Sequence, residues 1–213
     1  MAGVRGLIPG LGAHAILPEL QTERLTVRLA RPGMQAGMAR FLAENFEGHL
    51  DRWSPPATTA YSTEAFWRER LAIAVEEYHA GRSARFVLQA RAAEVPLDAP
   101  IVGTCNYTNV VRGPFLACNL GYQVGRAHQG LGLMSEALKE TNAFAFREMR
   151  LHRIMANHRP ENERSARLLE RLGFAREGLA RDYLFIDGEW RDHVLTALVN
   201  PRVPPAWVEP AGR

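Results

Sequence analysis

The sequence has almost no lysine and very little cysteine. Lys139 is the only lysine among the 26 basic residues, so none follows a glycine-rich turn in the way that a Walker loop, G-x-x-x-x-G-K-[ST], requires. A nucleoside-triphosphate site of that type is therefore excluded. The two cysteines, Cys105 and Cys118, form no C-x-x-C pair. We interpret them as reduced thiols of a cytoplasmic protein.

Long apolar runs and a strong excess of one charge are also missing. No stretch approaches about 18 consecutive apolar residues, and glycines and prolines interrupt the first twenty, so we expect neither a membrane span nor a secretory signal. The 26 basic and 23 acidic residues give a net charge of +3, which is small for a dedicated nucleic-acid-binding protein. The 213 residues, 46% of them hydrophobic, are enough for one globular domain without disulfides or metal.

Hydrophobic periodicity, capping residues and turn signals predict seven strands and four helices. The predicted strands cover residues 24–29, 84–91, 101–110, 116–124, 152–156, 181–186 and 189–199. The first predicted helix ends near Phe46, and the second spans Glu64 to about His79 behind a cap at Ser62 or Thr63. The third begins near residue 131, and the fourth runs from Asn162 to Leu172 before Gly173. This order predicts an α/β (α+β) fold with a mainly antiparallel sheet.

The turn Gln129-Gly130-Leu131-Gly132 connects a predicted strand to a predicted helix. Glycines there would let an anion approach the unpaired amides at the positive helix end. Two glycines also occur in turns that have only a structural role, so the anion-binding and the structural interpretation both remain open. A dinucleotide loop fits poorly, because Ser135 replaces its last glycine or alanine and the acidic residue at a suitable distance, Glu148, lies inside the helical stretch.

Three stretches of the sequence carry a resemblance to a known family. They are Thr22-Glu23-Arg24-Leu25; residues 120–124 (Leu-Gly-Tyr-Gln-Val) with 129–138 (Gln-Gly-Leu-Gly-Leu-Met-Ser-Glu-Ala-Leu); and residues 152–157 with Asn162, Ser165, Leu168-Leu169, Leu172-Gly173-Phe174, Asp182-Tyr183, Ile186-Asp187-Gly188 and Trp190-Arg191-Asp192-His193. In these residues the chain resembles the GCN5-related N-acetyltransferases (GNAT), and within them the ribosomal-protein-alanine N-acetyltransferases. The resemblance implies a GNAT domain over residues 20–201, with about seven strands and helices on both faces of the sheet, between an extension (1–19) and a tail (202–213).

The resemblance also implies an activity. It implies direct transfer of an acetyl group from acetyl-CoA to the N-terminal α-amino group of an alanine in a ribosomal protein, in a ternary complex in the cytoplasm. The ribosome is a further candidate partner, and neither metal, membrane nor direct DNA binding is implied. An N-terminal amine has a pKa near 8, so roughly a tenth of it is neutral at pH 7 and a weak base suffices.

Site residues follow from the same resemblance. The pyrophosphate of acetyl-CoA would lie on the amides of residues 129–133, and its pantetheine arm beside 122–124 and the start of the last helix. The implied contacts are Tyr122, Gln123, Val124, Gln129, Gly130, Leu131, Gly132, Leu133, Met134, Asn162 and Ser165. Two positions depart from the family pattern. Ala127 replaces a basic residue, and Asn119 replaces a carboxylate that could serve as general base.

The transfer needs a polarised thioester carbonyl and a proton for the leaving thiolate. We expect the Val124 N–H to polarise the carbonyl, and either Ser165 or Tyr183 to act as the general acid. Asp182 and Glu136 are weaker candidates for the general base.

Histidines offer a further set of candidates. His128, His152, His158 and His193 do not have the spacing of metal ligands. His193 beside Asp192 could form a base dyad, but we expect a solvent-facing pair.

Two alternatives remain open at this stage. The acceptor could be a small-molecule amine, such as a polyamine, an antibiotic or an amino acid, although a polyamine site should carry clustered carboxylates and the sequence offers few. The chain could also be a non-catalytic module that binds acetyl-CoA or the ribosome. The second alternative is motivated by Asn119 and by the arginines between residues 147 and 171.

Overall fold

A computed structural model describes residues 17–56 and 58–200. The described strands are β1 (Glu19–Gln21), β2 (Leu25–Leu29), β3 (Ala84–Ala90), β4 (Ile101–Val111), β5 (Ala117–Val124), β6 (Arg153–Met155), β7 (Ala175–Ile186) and β8 (Glu189–Val199). The described α-helices are α1 (Gln35–Asn45), α2 (Glu64–His79), α3 (Leu133–Arg147) and α4 (Glu163–Arg171). Most of the predicted extension and tail lies outside the described residues.

The eight strands form one sheet in the order β1-β2-β3-β4-β5-β6-β8-β7. Only β5 and β6 pair in parallel, so the predicted mixed, mainly antiparallel sheet is confirmed. Strand β1 was not predicted, because its three residues are too few to show alternation. Arg28 of β2 holds it in place through a hydrogen bond to Glu19. Strand β7 begins six residues earlier than predicted, because its first residues are mostly exposed and do not alternate between apolar and polar side chains.

Helices cover both faces of the sheet. Alternate residues of β3 point to opposite sides: Phe86 belongs to a core cluster with α3 and α4, and Val87 to a second cluster with α1 and α2. Tyr107 of β4 fixes α3 on its face by donating a hydrogen bond to Thr141 (2.8 Å) or Asn142 (2.7 Å). No helix within the described ranges is long and apolar enough to cross a membrane.

An opening in the sheet separates β5 from β6. Strand β5 pairs with β6 only from Ala117 to Asn119, whereas it stays paired with β4 as far as Val124. Beyond Asn119 the edge of β5 that faces β6 is therefore free of a strand partner. On the other edge of β5, β4 can pack closely because residue 103 is glycine. A Cβ at that position would lie 2.5 Å from the carbonyl oxygen of Gln123.

Candidate active site

The glycine turn leads directly into α3 and leaves main-chain amides open. Gly130 and Gly132 have φ angles of +75° and +76°, a left-handed conformation that favours glycine. Gly132 is the N-cap of α3 and gives it no side-chain cap bond. The first intrahelical bond runs from the Glu136 N–H to the Gly132 carbonyl, so the preceding amides of the first turn have no helical acceptor. This helix end is suited to bind an anion.

A clamp made of Thr22, Arg24 and Glu136 holds this turn against the start of β2. The Glu136 carboxylate accepts hydrogen bonds from the Thr22 hydroxyl, from the Arg24 N–H (2.8 Å) and from Arg24 Nε (2.7 Å). Arg24 Nη1 donates to the Leu131 carbonyl (2.9 Å). Burial raises the pKa of Glu136, but these bonds outweigh burial and the pKa lies below its usual value. The Glu136 carboxylate is thus a hydrogen-bonded anion that supports the turn. This does not fit the role of general base for which the sequence made it a weaker candidate.

The main-chain groups of two β5 residues, Tyr122 and Val124, face the opening. The Gly125 N–H bonds to the Val102 carbonyl (2.8 Å), and antiparallel pairs alternate between bonded and non-bonded positions. The N–H and C=O groups of Val124 and Tyr122 therefore point away from β4 and toward the opening. These are the groups expected to polarise a thioester carbonyl at Val124 and to pair with an extended ligand along residues 122–124.

A chain of hydrogen bonds ties the turn to the end of β5. Arg164 of α4 donates to Gln129 Oε1. His49 Nε2 lies 3.0 Å from the Val124 carbonyl, which can only accept, so Nε2 carries the proton. Gln129 Nε2 then donates to His49 Nδ1 at 3.4 Å. No motif or periodicity in the sequence pointed to His49, which lies in the irregular segment between α1 and α2.

Ser165 and Tyr122 meet on the α3–α4 side of the opening. Asn162 caps α4 by accepting the Ser165 N–H at 3.1 Å, which leaves the Ser165 hydroxyl for Tyr122 Oη, 2.6 Å away. Burial raises the pKa of Tyr122 to about 12, although the bond to Ser165 lowers it. The phenol therefore keeps its proton at neutral pH. The two hydroxyls thus form a hydrogen-bonded pair. The sequence analysis placed Tyr122 only on the predicted ligand-binding strand.

Tyr183 makes its described contacts with residues other than Ser165 and Tyr122. Its hydroxyl accepts a hydrogen bond from Asn157 Nδ2 at 3.1 Å, and its ring lies 5.5 Å from the ring of His193. The prediction that His193 and Asp192 form a solvent-facing pair is wrong. His193 is 3% exposed, and Asp192 instead accepts the Asp182 N–H. Asp182 itself has a φ angle of +47° in a bulge of β7.

Residues 52–54 close the α1–α2 side of the opening. Gln123 donates to the Ser54 hydroxyl at 3.0 Å, and Arg159 Nη1 donates to the Arg52 carbonyl at 2.8 Å. The guanidinium carbons of Arg52 and Arg159 lie 5.0 and 5.4 Å from the centre of the Trp53 ring, within the range of cation–π contacts. These contacts make residues 52–54 one wall of the opening.

The two departures from the family pattern are visible in the structure. Arg126, next to Ala127, donates to the Glu47 carbonyl at 3.2 Å and thus reaches toward the segment after α1. Arg24 and Arg164 are the cations that contact the turn. Asn119 lies in the paired part of β5, opposite Thr108 and Met155. No three His, Cys, Asp or Glu side chains in the described ranges are grouped to hold a metal ion.

Known proteins share this architecture and much of the sequence. Residues 24–175 match the acetyltransferase (GNAT) domain. The chain is 42% identical over 201 residues, 94% of its length and 97% of the relative's, to the [ribosomal protein uS5]-alanine N-acetyltransferase of Escherichia coli K12.

Two solved structures are similar throughout. The ribosomal-protein-S5-alanine acetyltransferase of Vibrio fischeri is 35% identical with a TM-score of 0.82, and the match covers 88% of this chain and 100% of that one. RimJ of Mycobacterium smegmatis, solved with CoA-disulfide, is 30% identical with a TM-score of 0.75, covering 89% and 90%. With the domain match and the sequence identity over nearly its whole length, this chain belongs to the GNAT family of acetyltransferases.

Proposed function

We propose that this protein transfers the acetyl group of acetyl-CoA to the N-terminal α-amino group of an alanine in a ribosomal protein, in the cytoplasm. The observation that carries the proposal is the 42% identity with the Escherichia coli [ribosomal protein uS5]-alanine N-acetyltransferase, which extends over 94% of this chain. The similarity thus includes both the glycine turn and the wall of residues 52–54.

The turn and β5 are the proposed acetyl-CoA site. The amides of residues 129–133 would receive the pyrophosphate, because they surround two glycines in a left-handed conformation and the start of α3. Of these amides, that of Gln129 donates to the Arg126 carbonyl at 3.3 Å. The pantetheine arm would pair with the open edge of β5 over residues 122–124. Asn162 and Ser165, at the start of α4, would lie beside that arm. Arg164 would add a positive charge through its contact with Gln129.

The chemistry uses the groups that face the opening. The Val124 N–H would donate to the thioester oxygen as negative charge develops there. The neutral amine attacks the carbonyl carbon, the carbon–sulfur bond breaks, and the thiolate takes a proton from the Ser165–Tyr122 pair. Tyr183 is a less suitable proton donor for the thiolate, because its hydroxyl bonds to Asn157 and has no described contact with Ser165 or Tyr122.

The first test is the release of free thiol from acetyl-CoA with three acceptors. They are a peptide that begins with alanine, the same peptide with a blocked N-terminus and an internal lysine, and spermidine. Turnover with the free alanine terminus alone is the expected result. Turnover with spermidine alone would replace the proposal by a small-molecule acceptor. Acetyl-CoA binding without turnover on any of the three would favour a binding module.

The second test compares the proton donors. We expect Ser165→Ala and Tyr122→Phe to lower kcat by about 10²-fold or more, while Tyr183→Phe lowers it less. Stopped-flow or thiol-release assays at saturating acetyl-CoA measure this. A larger loss in Tyr183→Phe than in the other two variants would assign the general acid to Tyr183 instead.

A further inference from the structure

His193 lies on β8, one strand beyond residues 156–158, which border the opening: the Ala156 N–H donates to the Thr196 carbonyl at 3.0 Å, and His158 pairs with Val194. Asn119, Met155 and Ala197 are the last aligned residues of β5, β6 and β8. Four residues further in the same direction lie Gln123 on β5 and His193 on β8. His193 is therefore level with the part of β5 whose open edge would hold the thioester.

The hydrogen bonding of His193 fixes its tautomer. Its Nδ1 lies 3.0 Å from the Arg191 carbonyl, which can only accept, so Nδ1 carries the proton and Nε2 keeps a lone pair. Among the described residues the buried side-chain nitrogen and oxygen atoms without a partner are His79 Nε2 and Arg159 Nε. His193 Nε2, which has no described partner either, is thus open to solvent although the residue is only 3% exposed.

The surroundings of His193 favour its neutral form. Burial lowers its pKa, the bond to the Arg191 carbonyl raises it, and the positive charge of Arg159 and the neighbouring His158 lower it further, while Glu161 raises it. The result lies below the usual value of 6.5. The side chains that face it from neighbouring elements are Tyr183 of β7 and the three residues His158, Arg159 and Glu161 of the segment between β6 and α4.

We propose that His193 Nε2 is the general base that accepts the proton of the attacking amine. The inference rests on the proposed function and deepens it. When the amine nitrogen bonds to the carbonyl carbon, one of its N–H bonds breaks and the proton moves to Nε2. The thiolate receives a different proton from the Ser165–Tyr122 pair, and His193 later returns its proton to solvent. His193 approaches from the acceptor side, and the hydroxyl pair from the thiol side, so the two proton transfers do not compete.

Substitution of His193 tests this role. In His193→Asn the side-chain amide can still donate to the Arg191 carbonyl, but no basic nitrogen remains. We expect kcat with an alanine-initiated peptide to fall by about 10²-fold or more, with KM for acetyl-CoA unchanged. His193→Ala should lose as much and regain part of its activity with added imidazole. The matched control is His152→Asn, because His152 Nδ1 also bonds a backbone carbonyl, that of Asn200 (2.9 Å), at the far end of β6.

The pH profile separates a base from a structural role. At pH values below the pKa of His193, log kcat/KM of the wild type should rise with pH with a slope of 2. One unit of slope comes from deprotonation of the acceptor amine and one from deprotonation of His193. In His193→Asn, which keeps His158 and Glu161, the slope should be 1. An unchanged kcat, a slope of 2 that persists, or no rescue by imidazole would each overturn the proposal. Wild-type protein that releases no thiol with the alanine peptide would instead contradict the proposed function.

Discussion

The clamp on the glycine turn makes a quantitative prediction for Glu136→Gln. Glutamine keeps the shape of the side chain and one acceptor oxygen for Thr22 and the Arg24 N–H. It removes the negative charge, and it places an amide donor opposite the Arg24 guanidinium, where Glu136 now makes contacts of 2.7 Å. The substitution therefore breaks the charge-assisted part of the clamp and leaves the rest of α3 intact.

The exposed fractions of the two side chains set the size of the effect. The Glu136 side chain is 17% exposed and that of Arg24 47%. Hydrogen bonds to charged groups contribute about 1.5–3 kcal/mol when buried, and exposed ion pairs about 0–1 kcal/mol. For a partly buried carboxylate with a half-exposed partner we expect a loss of about 1–2 kcal/mol. The control is Glu163→Gln, whose pair with Arg167 has side chains 75% and 59% exposed and should lose less than about 0.5 kcal/mol.

The assay has two readouts. Urea denaturation measures the free energy of unfolding of both variants. Steady-state kinetics measure the KM for acetyl-CoA, which we expect Glu136→Gln to raise up to about tenfold, since 1.4 kcal/mol corresponds to tenfold and Arg24 also bonds the Leu131 carbonyl of the turn. The KM for the acceptor should not change. Equal stability of the two variants would refute the clamp, and a less stable Glu136→Gln with an unchanged KM for acetyl-CoA would refute its coupling to the turn.

Three further predictions concern stability and reactivity. The pKa of Glu136 is lower in the folded than in the unfolded protein, so its carboxylate stabilises the fold above the unfolded pKa and wild-type stability should fall as the pH drops below about 4.5. Urea titrations should show a smaller fall for Glu136→Gln, and parallel curves would contradict this. Gly103→Ala should cost about 1–3 kcal/mol in thermal or urea unfolding, because its Cβ would meet a carbonyl oxygen at 2.5 Å, whereas Gly121→Ala on the facing strand, with nothing within 4 Å, should cost little; equal losses would exclude the clash. Burial raises the pKa of Cys105 and Cys118 to about 12, so a thiol reagent should label neither in the native protein and both in urea; rapid native labelling would contradict their burial.

Local signals in the sequence predicted most of the fold. Thr63 caps α2 by accepting the Phe66 N–H, Asn162 caps α4, and Gly173 ends α4 with a φ angle of +85°. Each of these features depends on residues within a few positions of one another. Strand β1 could not be predicted in this way, because three residues show no alternation and its stability comes from pairing with β2 and from the ion pair between Glu19 and Arg28.

The side-chain groups of the site depend on residues far apart in the sequence. The Arg24–Glu136 pair joins residues 112 positions apart, and the Tyr122–Ser165 pair residues 43 apart. Periodicity places such residues on a strand or a helix face, but it does not say which faces meet. The error at His193 has the same origin: alternation along β8 was read correctly as a strand, while the cover of that residue comes from the segment between β6 and α4.

The opening between β5 and β6 also explains why a base is needed elsewhere than at Asn119. That residue lies in the paired part of the sheet, opposite Met155, five residues before Val124. At about 3.3 Å per residue the separation along the strand is about 16 Å, so a carboxylate at position 119 would reach an amine near the Val124 N–H only through intervening water. His193 is level with Gln123, one residue from Val124, on β8, which residues 156–158 separate from the opening. With the proposed base at that level of the sheet, the reaction would not need a carboxylate at position 119.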